Sequence, residues 1–205
     1  MADLSMFPLG SVLFPYLPLH LRVFEQRYLV MLSRLLETDV AEFGVVLIER
    51  GQEVGGGEHR FTYGTVAQIT QLGAQEGFVG LVAQGERRFE VIEWLAENPH
   101  PRAGVRYLAD LEWDDALVPL RQRAEQVVRR TLALASEFTE QLWPADVELS
   151  DDPVQAAWQL AGVAPLGPLD QMSLLRSTSM QELLTGVADY ASAAAESFSA
   201  PWPEG

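Results

Sequence analysis

Up to about Trp113, hydrophobic positions recur at every second residue. In RAGVRYLADLEW, Ala103, Val105, Tyr107, Ala109, Leu111 and Trp113 alternate with Gly104, Arg106, Leu108, Asp110 and Glu112, the period of a strand with one face buried. FTYGTVAQIT sets Phe61, Tyr63, Ala67 and Ile69 on one face in the same way. FGVVLIE, Phe43 to Glu49, is an apolar run, as in a strand covered on both sides. FVGLVAQGERRFEVIEW reads as two strands joined by a turn near Gly85 and Glu86, and Gly55, Gly56 and Gly57 fall in a polar loop. One helical stretch interrupts these strands, from Glu25 to about Leu36. Short turns and a single helix predict an antiparallel, barrel-like sheet, because a doubly wound α/β fold needs a helix between most strands.

Beyond Trp113 the period becomes helical. Leu117, Leu120, Ala124, Val127, Thr131, Ala135, Phe138 and Leu142 recur at intervals of three and four, with Glu125 and Arg129 at i,i+4 on the solvent face. Asp152-Pro153 opens a second helix that buries Val154, Ala157, Trp158 and Ala161 before Gly162 and Pro165 end it. Ser179 and Glu182 form a capping box for a third, with Met180, Leu183, Leu184, Val187, Ala191, Ala194 and Phe198 along one stripe and Gly186 inside it at a cost of about 1 kcal/mol relative to Ala. The tail PWPEG looks frayed. The fold class is therefore α+β, with a strand-rich part over residues 1–113 and a helical part over 114–205.

Composition narrows the chemistry. The chain has 205 residues, 48% of them hydrophobic, and is long enough to bury a sizeable core. It contains no cysteine, which removes disulfides, thiolate metal sites and cysteine nucleophiles. All 14 basic residues are arginine. Without lysine there is no P-loop, no Schiff-base amine and no Ser-Lys base. The net charge of −15 is spread along the chain and argues against binding a phosphate backbone. No window approaches a membrane span of roughly 18 apolar residues, and the start, MADLSMFPLG, lacks a basic segment before an apolar one, so the reading is cytoplasmic with no membrane association.

The search for a site yields little chemistry. His20, His59 and His100 lie far apart in sequence and show no metal-ligand spacing. The carboxylate pairs Asp114-Asp115 and Asp151-Asp152 stand at helix starts, where negative charge suits the dipole. No catalytic residue, metal site or cofactor is expected. In FPYLPLHL, Pro15 and Pro18 keep the chain extended while Phe14, Tyr16 and Leu17 crowd apolar area together; they either pack under the sheet or form a rim that meets a polypeptide partner. The run VFEQRY places Phe24, Glu25, Arg27 and Tyr28 at a strand-to-helix corner, where Glu25 suits the helix start and Tyr28, Leu32 and Leu35 open a core-facing stripe.

The stretches MFPLGSVLFP, LHLRVFEQRYLVML, FGVVLIERG, YGTVAQITQ, GLVAQGERRFEV and LLRSTSMQELL, in this order, resemble the N-terminal substrate-binding domain of Lon proteases over roughly Leu4 to Phe198. The pieces F-E-x-R-Y and G-x-x-R-F are specific in combination; Gln26 departs from the family's usual proline. The resemblance implies a PUA-like pseudobarrel followed by a helical bundle. It also implies a part that engages unfolded or tagged proteins, while the family's ATPase module and Ser-Lys site lie further along. Without lysine this chain hides neither, so it resembles a stand-alone Lon-type domain protein.

The expected function is non-enzymatic recognition of unfolded or extended polypeptide, as an adaptor or chaperone-like module, with homo-oligomerisation left open. The alternative is a PUA-like RNA-binding module, which needs a local basic patch from Arg87, Arg88, Arg102 and Arg106. A small-molecule hydrolase or isomerase comes third, since no nucleophile and base pair up in the sequence.

Overall fold

The computed structural model describes residues 2–50 and 59–199, with Arg50 and Ser199 described by backbone alone. The triplet Gly55 to Gly57 and the tail PWPEG lie outside the described residues. Two compact units divide the chain, Met1–Asp110 and Leu111–Gly205.

In the first unit the order is β1 (Ala2–Leu9), β2 (Pro18–Val23), α1 (Gln26–Leu35), β3 (Glu42–Arg50), β4 (His59–Gln75), β5 (Phe78–Leu95) and β6 (Arg102–Tyr107). The sheet order is β2-β5-β4-β3-β1-β6, and β5 also pairs with β6, so the ladder from β5 through β4, β3, β1 and β6 returns to β5. Period-two burial explains the interior: Leu4 and Met6, Val46, Val66, Phe89 and Val91, and Ala103 and Val105 come from those five strands and form one core cluster.

Three expectations are corrected. The sheet is mixed, because β1 runs parallel to β3, Met6 opposite Gly44 and Leu9 opposite Leu47. The segment through β2 and α1 lies between them in sequence and gives the chain length that a parallel crossover needs. Second, no turn occurs at Gly85: β5 is one strand of 18 residues. Gly85 is there for close approach, since a Cβ on it would overlap the Phe14 carbonyl oxygen and lie 3.3 Å from Leu13. Third, β6 ends at Tyr107, short of Trp113.

The second unit contains a 3-10 turn (Asp115–Leu117), α2 (Val118–Ser136), α3 (Pro153–Val163), α4 (Pro168–Leu175) and α5 (Met180–Ser199), and α5 packs against α2, α3 and α4. In α2 the buried positions are Ala124, Val128, Thr131, Leu132 and Ala135. Phe138 and Leu142 lie beyond the helix and are exposed. Thr131 sits in the core because its hydroxyl donates to the carbonyls of Val127 (2.8 Å) and Ala191 (2.9 Å). Arg129 does more than pair with Glu125; it also donates to the carbonyls of Ala145 (2.7 Å) and Val147 (3.1 Å) and so ties the following loop to α2. The caps form as the sequence predicts. The Asp152 carboxylate accepts from the amides of Val154 and Gln155, and Ser179 Oγ accepts from Glu182 N at 3.1 Å. The Glu182 carboxylate reaches back to the amide and hydroxyl of Thr178, and those bonds hold its pKa below the ordinary carboxylate value. Gly186 gives α4 room: a Cβ there would stand 2.8 Å from Leu174 Cδ2.

His100, between β5 and β6, is only 2% exposed, with Nδ1 3.1 Å from the Pro101 carbonyl. Burial lowers its pKa, and Arg34 and Arg102 add to this against the opposing pull of the Pro101 carbonyl and Glu97. Its neutral form is thus favoured in the folded state. The stability it contributes is complete above the ordinary histidine pKa of about 6.5 and is lost as the pH falls below it. Thermal melts should show a drop in Tm between about pH 7.5 and 5.5 that His100→Gln reduces; an equal drop in both proteins would refute the assignment.

Candidate functional site

Of the two readings of the Phe14 to Leu17 segment, packing under the sheet is the one that Phe14 and Leu17 follow. Phe14 is 1% and Leu17 9% exposed, so both are core residues, and Tyr16 between them is half-buried at φ 63°. Hydrogen bonds hold this segment down: Tyr16 N donates to the Gly85 carbonyl (2.7 Å), Gly85 N to Leu17 (2.9 Å), and Thr65 Oγ1 to Leu13 (2.6 Å). Apolar crowding marks core and docking surface alike, and here the chain uses it for core.

At the corner, Glu25 is the N-cap of α1, and its carboxylate accepts from Arg27 Nε at 3.2 Å. The Arg27 guanidinium lies 4.5 Å from the Tyr28 ring centroid, and the other side of the contact chain is the stack of Tyr28 on Phe7 at 4.0 Å. Tyr28, Met31 and Leu32 are the buried positions of α1, while Leu35 is half-buried. Phe24 departs from this cluster and is 57% exposed. With 13% of its side chain exposed, Arg27 is well shielded. Arg27→Ala should remove about 1–1.5 kcal/mol and lower Tm by about 5–10 °C in a thermal melt. An unchanged melt combined with lost partner binding would make Arg27 a ligand contact instead.

The four arginines proposed as a basic patch are all engaged. Arg87 donates to Glu42 (2.8 Å) and lies 4.1 Å from the Tyr107 ring centroid. Arg88 is buried and donates to the Ala109 carbonyl at 2.9 Å; burial lowers its pKa, with Asp110 acting in opposition. Arg102 pairs with Asp3, and Arg106 with Glu90. Among the described residues, no group of three or more histidines and acids is placed to hold a metal ion. No helix among them is long and apolar enough to cross a membrane.

An open groove of about 500 Å³ was not anticipated from the sequence; it lies over β2 and the β4–β5 hairpin. Along β2, His20 and Arg22 are exposed, while Leu19 and Leu21 are half-buried and Val23 is buried. Paired residues share a face of a sheet, and the pairing aligns three rows here: His20–Val82–Gln71, Arg22–Gly80–Gly73, and Phe78–Gln75. The middle row carries no side chain except Arg22. A Cβ on Gly73 would meet nothing within 4 Å, and one on Gly80 nothing nearer than 3.7 Å. The groove floor is therefore bare backbone, edged by the Phe78 ring, with the Arg22 guanidinium 5.4 Å from its centroid.

Charge sets this groove apart. The chain has 29 acidic residues, yet none of the described ones lines it. Arg27, Arg34, Arg60, Arg87, Arg88, Arg102 and Arg106 each donate to a protein oxygen. Among the described arginine side chains of the first unit, Arg22 alone does not. Its strand, β2, lies at the end of the sheet order and pairs with β5 alone among the described residues.

A mixed sheet followed by helices is an α+β fold, and it is that of Lon N-terminal domains. The structure is similar to the Lon N-terminal domain protein from Xanthomonas campestris, with a TM-score of 0.65, 26% identity, and 93% of this chain and 99% of that one covered. Its fold is also similar to the N-terminal domain of the Mycobacterium avium complex Lon protease, at a TM-score of 0.66 and 16% identity over 93% of this chain and 98% of that one. The family model of the ATP-dependent protease La (LON) substrate-binding domain matches residues 3–191, and the chain belongs to that family. In sequence it is similar to the Lon protease of Anaeromyxobacter dehalogenans, 30% identical over 148 residues, which are 68% of this chain and 17% of that protein. The chain spans less than a fifth of that relative's length.

Proposed function

We propose that this chain is a non-enzymatic module that binds unfolded or extended polypeptide segments, acting as an adaptor or in a chaperone-like role. The observation that carries this reading is the open groove along the edge strand β2, in a chain whose family is a substrate-binding domain. An edge strand offers unpaired backbone amides and carbonyls, to which an extended chain adds as a further strand, and the neighbouring groove takes its side chains. We also read the closed cycle of strand pairing as the family's PUA-like pseudobarrel, and α2 to α5 as its bundle. The test is crosslinking of the protein to a reduced, alkylated model protein at up to about 100 μM, which detects binding as weak as about −5.5 kcal/mol. Capture of the unfolded form and not of the native form is expected; no association at that concentration would overturn the reading.

RNA binding stands second. Three of the four arginines it needs are already paired with carboxylates and the fourth is buried, so the phosphate contacts would have to displace ion pairs. Retarded RNA in a low-salt gel shift would move it ahead.

A further inference from the structure

We propose that the glycine-floored groove selects polypeptide segments in which an aromatic side chain stands next to a carboxylate, the ring lying on the Gly73–Gly80 backbone and the carboxylate on Arg22. This rests on the polypeptide-binding reading above and names the class of segment that the groove takes. Three observations converge on it.

The floor is flat because two glycines are paired across β4 and β5, and nothing fills the space above Gly73. A planar ring reaches bare backbone closely where a branched aliphatic side chain does not, and the Phe78 edge gives that ring an aromatic neighbour. The groove volume of about 500 Å³ falls within the roughly 300–1,000 Å³ of ligand sites.

The second observation is Arg22. It stands in the same row as the two glycines, opposite Gly80, and no carboxylate among the described residues occupies its guanidinium fork. A fork of this kind binds a carboxylate through two parallel hydrogen bonds. His20, two residues along the same face, adds a ring nitrogen, and Gln71 and Gln75 add amides.

The third is the charge of the rest of the chain. At −15 it repels acidic segments in general, so a groove with Arg22 and no acid among its described lining residues is where an acidic segment is tolerated. Charge complementarity thus fixes the occupant as acidic, and the floor fixes its neighbour as aromatic.

Fluorescence anisotropy with a labelled, unstructured short peptide carrying Trp-Glu, and with its Trp-Gln and Leu-Glu counterparts, tests the proposal. The Trp-Glu peptide is expected to bind about tenfold or more tightly than either counterpart. Arg22→Gln should abolish the preference for Glu over Gln and keep the preference for Trp over Leu. Gly73→Val should abolish binding of all three peptides with an unchanged melt, since its side chain enters open space and valine suits a strand. Should Gly73→Val fail to fold, Arg22→Gln remains decisive, because the side chain it alters is exposed. Equal affinities for the three peptides, or a Glu preference that survives Arg22→Gln, would overturn the proposal. If the alkylated model protein binds while the peptides show no preference, the selectivity is wrong and the module reading stands. If the model protein does not bind either, both are wrong.

Discussion

Gly85→Ala should leave little of the first unit folded. The added methyl would overlap the Phe14 carbonyl oxygen and stand 3.1 Å from its carbonyl carbon. Neither side has room to move. The amide and carbonyl of Gly85 are bonded to Leu17 and Tyr16, and Thr65 holds the carbonyl of Leu13 one residue before Phe14. Relief therefore requires breaking hydrogen bonds that are buried, or bending β5 where it pairs with both β2 and β4. A loss above about 4 kcal/mol is expected, which for a unit of this size lowers Tm by more than about 15 °C or removes the soluble protein. Circular dichroism melts beside Gly73→Val, a larger substitution into open space, isolate the steric cause. A Gly85→Ala melt within a few degrees of wild type would show that the Phe14 segment is free to swing away.

Phe14→Ala is expected to cost about 3–5 kcal/mol, the usual price of emptying a buried phenylalanine site. Phe14 is among the largest fully buried side chains, beneath a segment that hydrogen bonds hold in place from both ends. The loss should appear equally in chemical denaturation and in thermal melts. Binding of unfolded protein, measured at a temperature where the variant remains folded, should stay near wild type. A stable variant with lost binding would restore Phe14 to the surface role that its sequence context first allowed.

Much of the fold was legible because local chemistry decides it. The caps at Asp152 and Ser179 need only a side chain and an amide a few residues on, and both formed. The alternation in β6 needs only one buried face. Pairing between strands remote in sequence leaves no local trace, so the parallel β1–β3 ladder was not read. Gly85 reads as a turn in the sequence because glycine serves both tight turns and close approach, and the sequence does not say which. In α2, Val127 and Val128 both fit an interval of three or four, and only the packing chose Val128. The eight residues of α4 were too few to show a period.

The site was less legible. Phe14 and Leu17 fit core and rim equally in the sequence, because apolar clusters are written alike whether buried or bare. The groove is an absence of side chains, and no apolar or charged motif announces it. One signal was present in GAQEGFVG: Gly73 and Gly80 lie at equal distances from the hairpin turn at Glu76 and Gly77. Once the hairpin is drawn, their pairing and the gap above them follow. That Arg22 lacks a hydrogen-bond partner among the described residues becomes visible only when the partners of the other described arginines of the first unit are placed.

The closed pairing cycle also sets a timetable. Ala2 pairs with Val105 and Ser5 with Arg102, so β1 finds one of its two neighbours only after about 100 further residues have been made. At translation rates of about 5–20 residues per second, that wait lasts about 5–20 s. Throughout it Leu4 and Met6, which end in the core cluster, have no β6 to close over them. A module whose proposed task is to recognise unfolded chains thus passes through that condition itself during synthesis, with the ladders to both β1 and β5 waiting for its sixth strand.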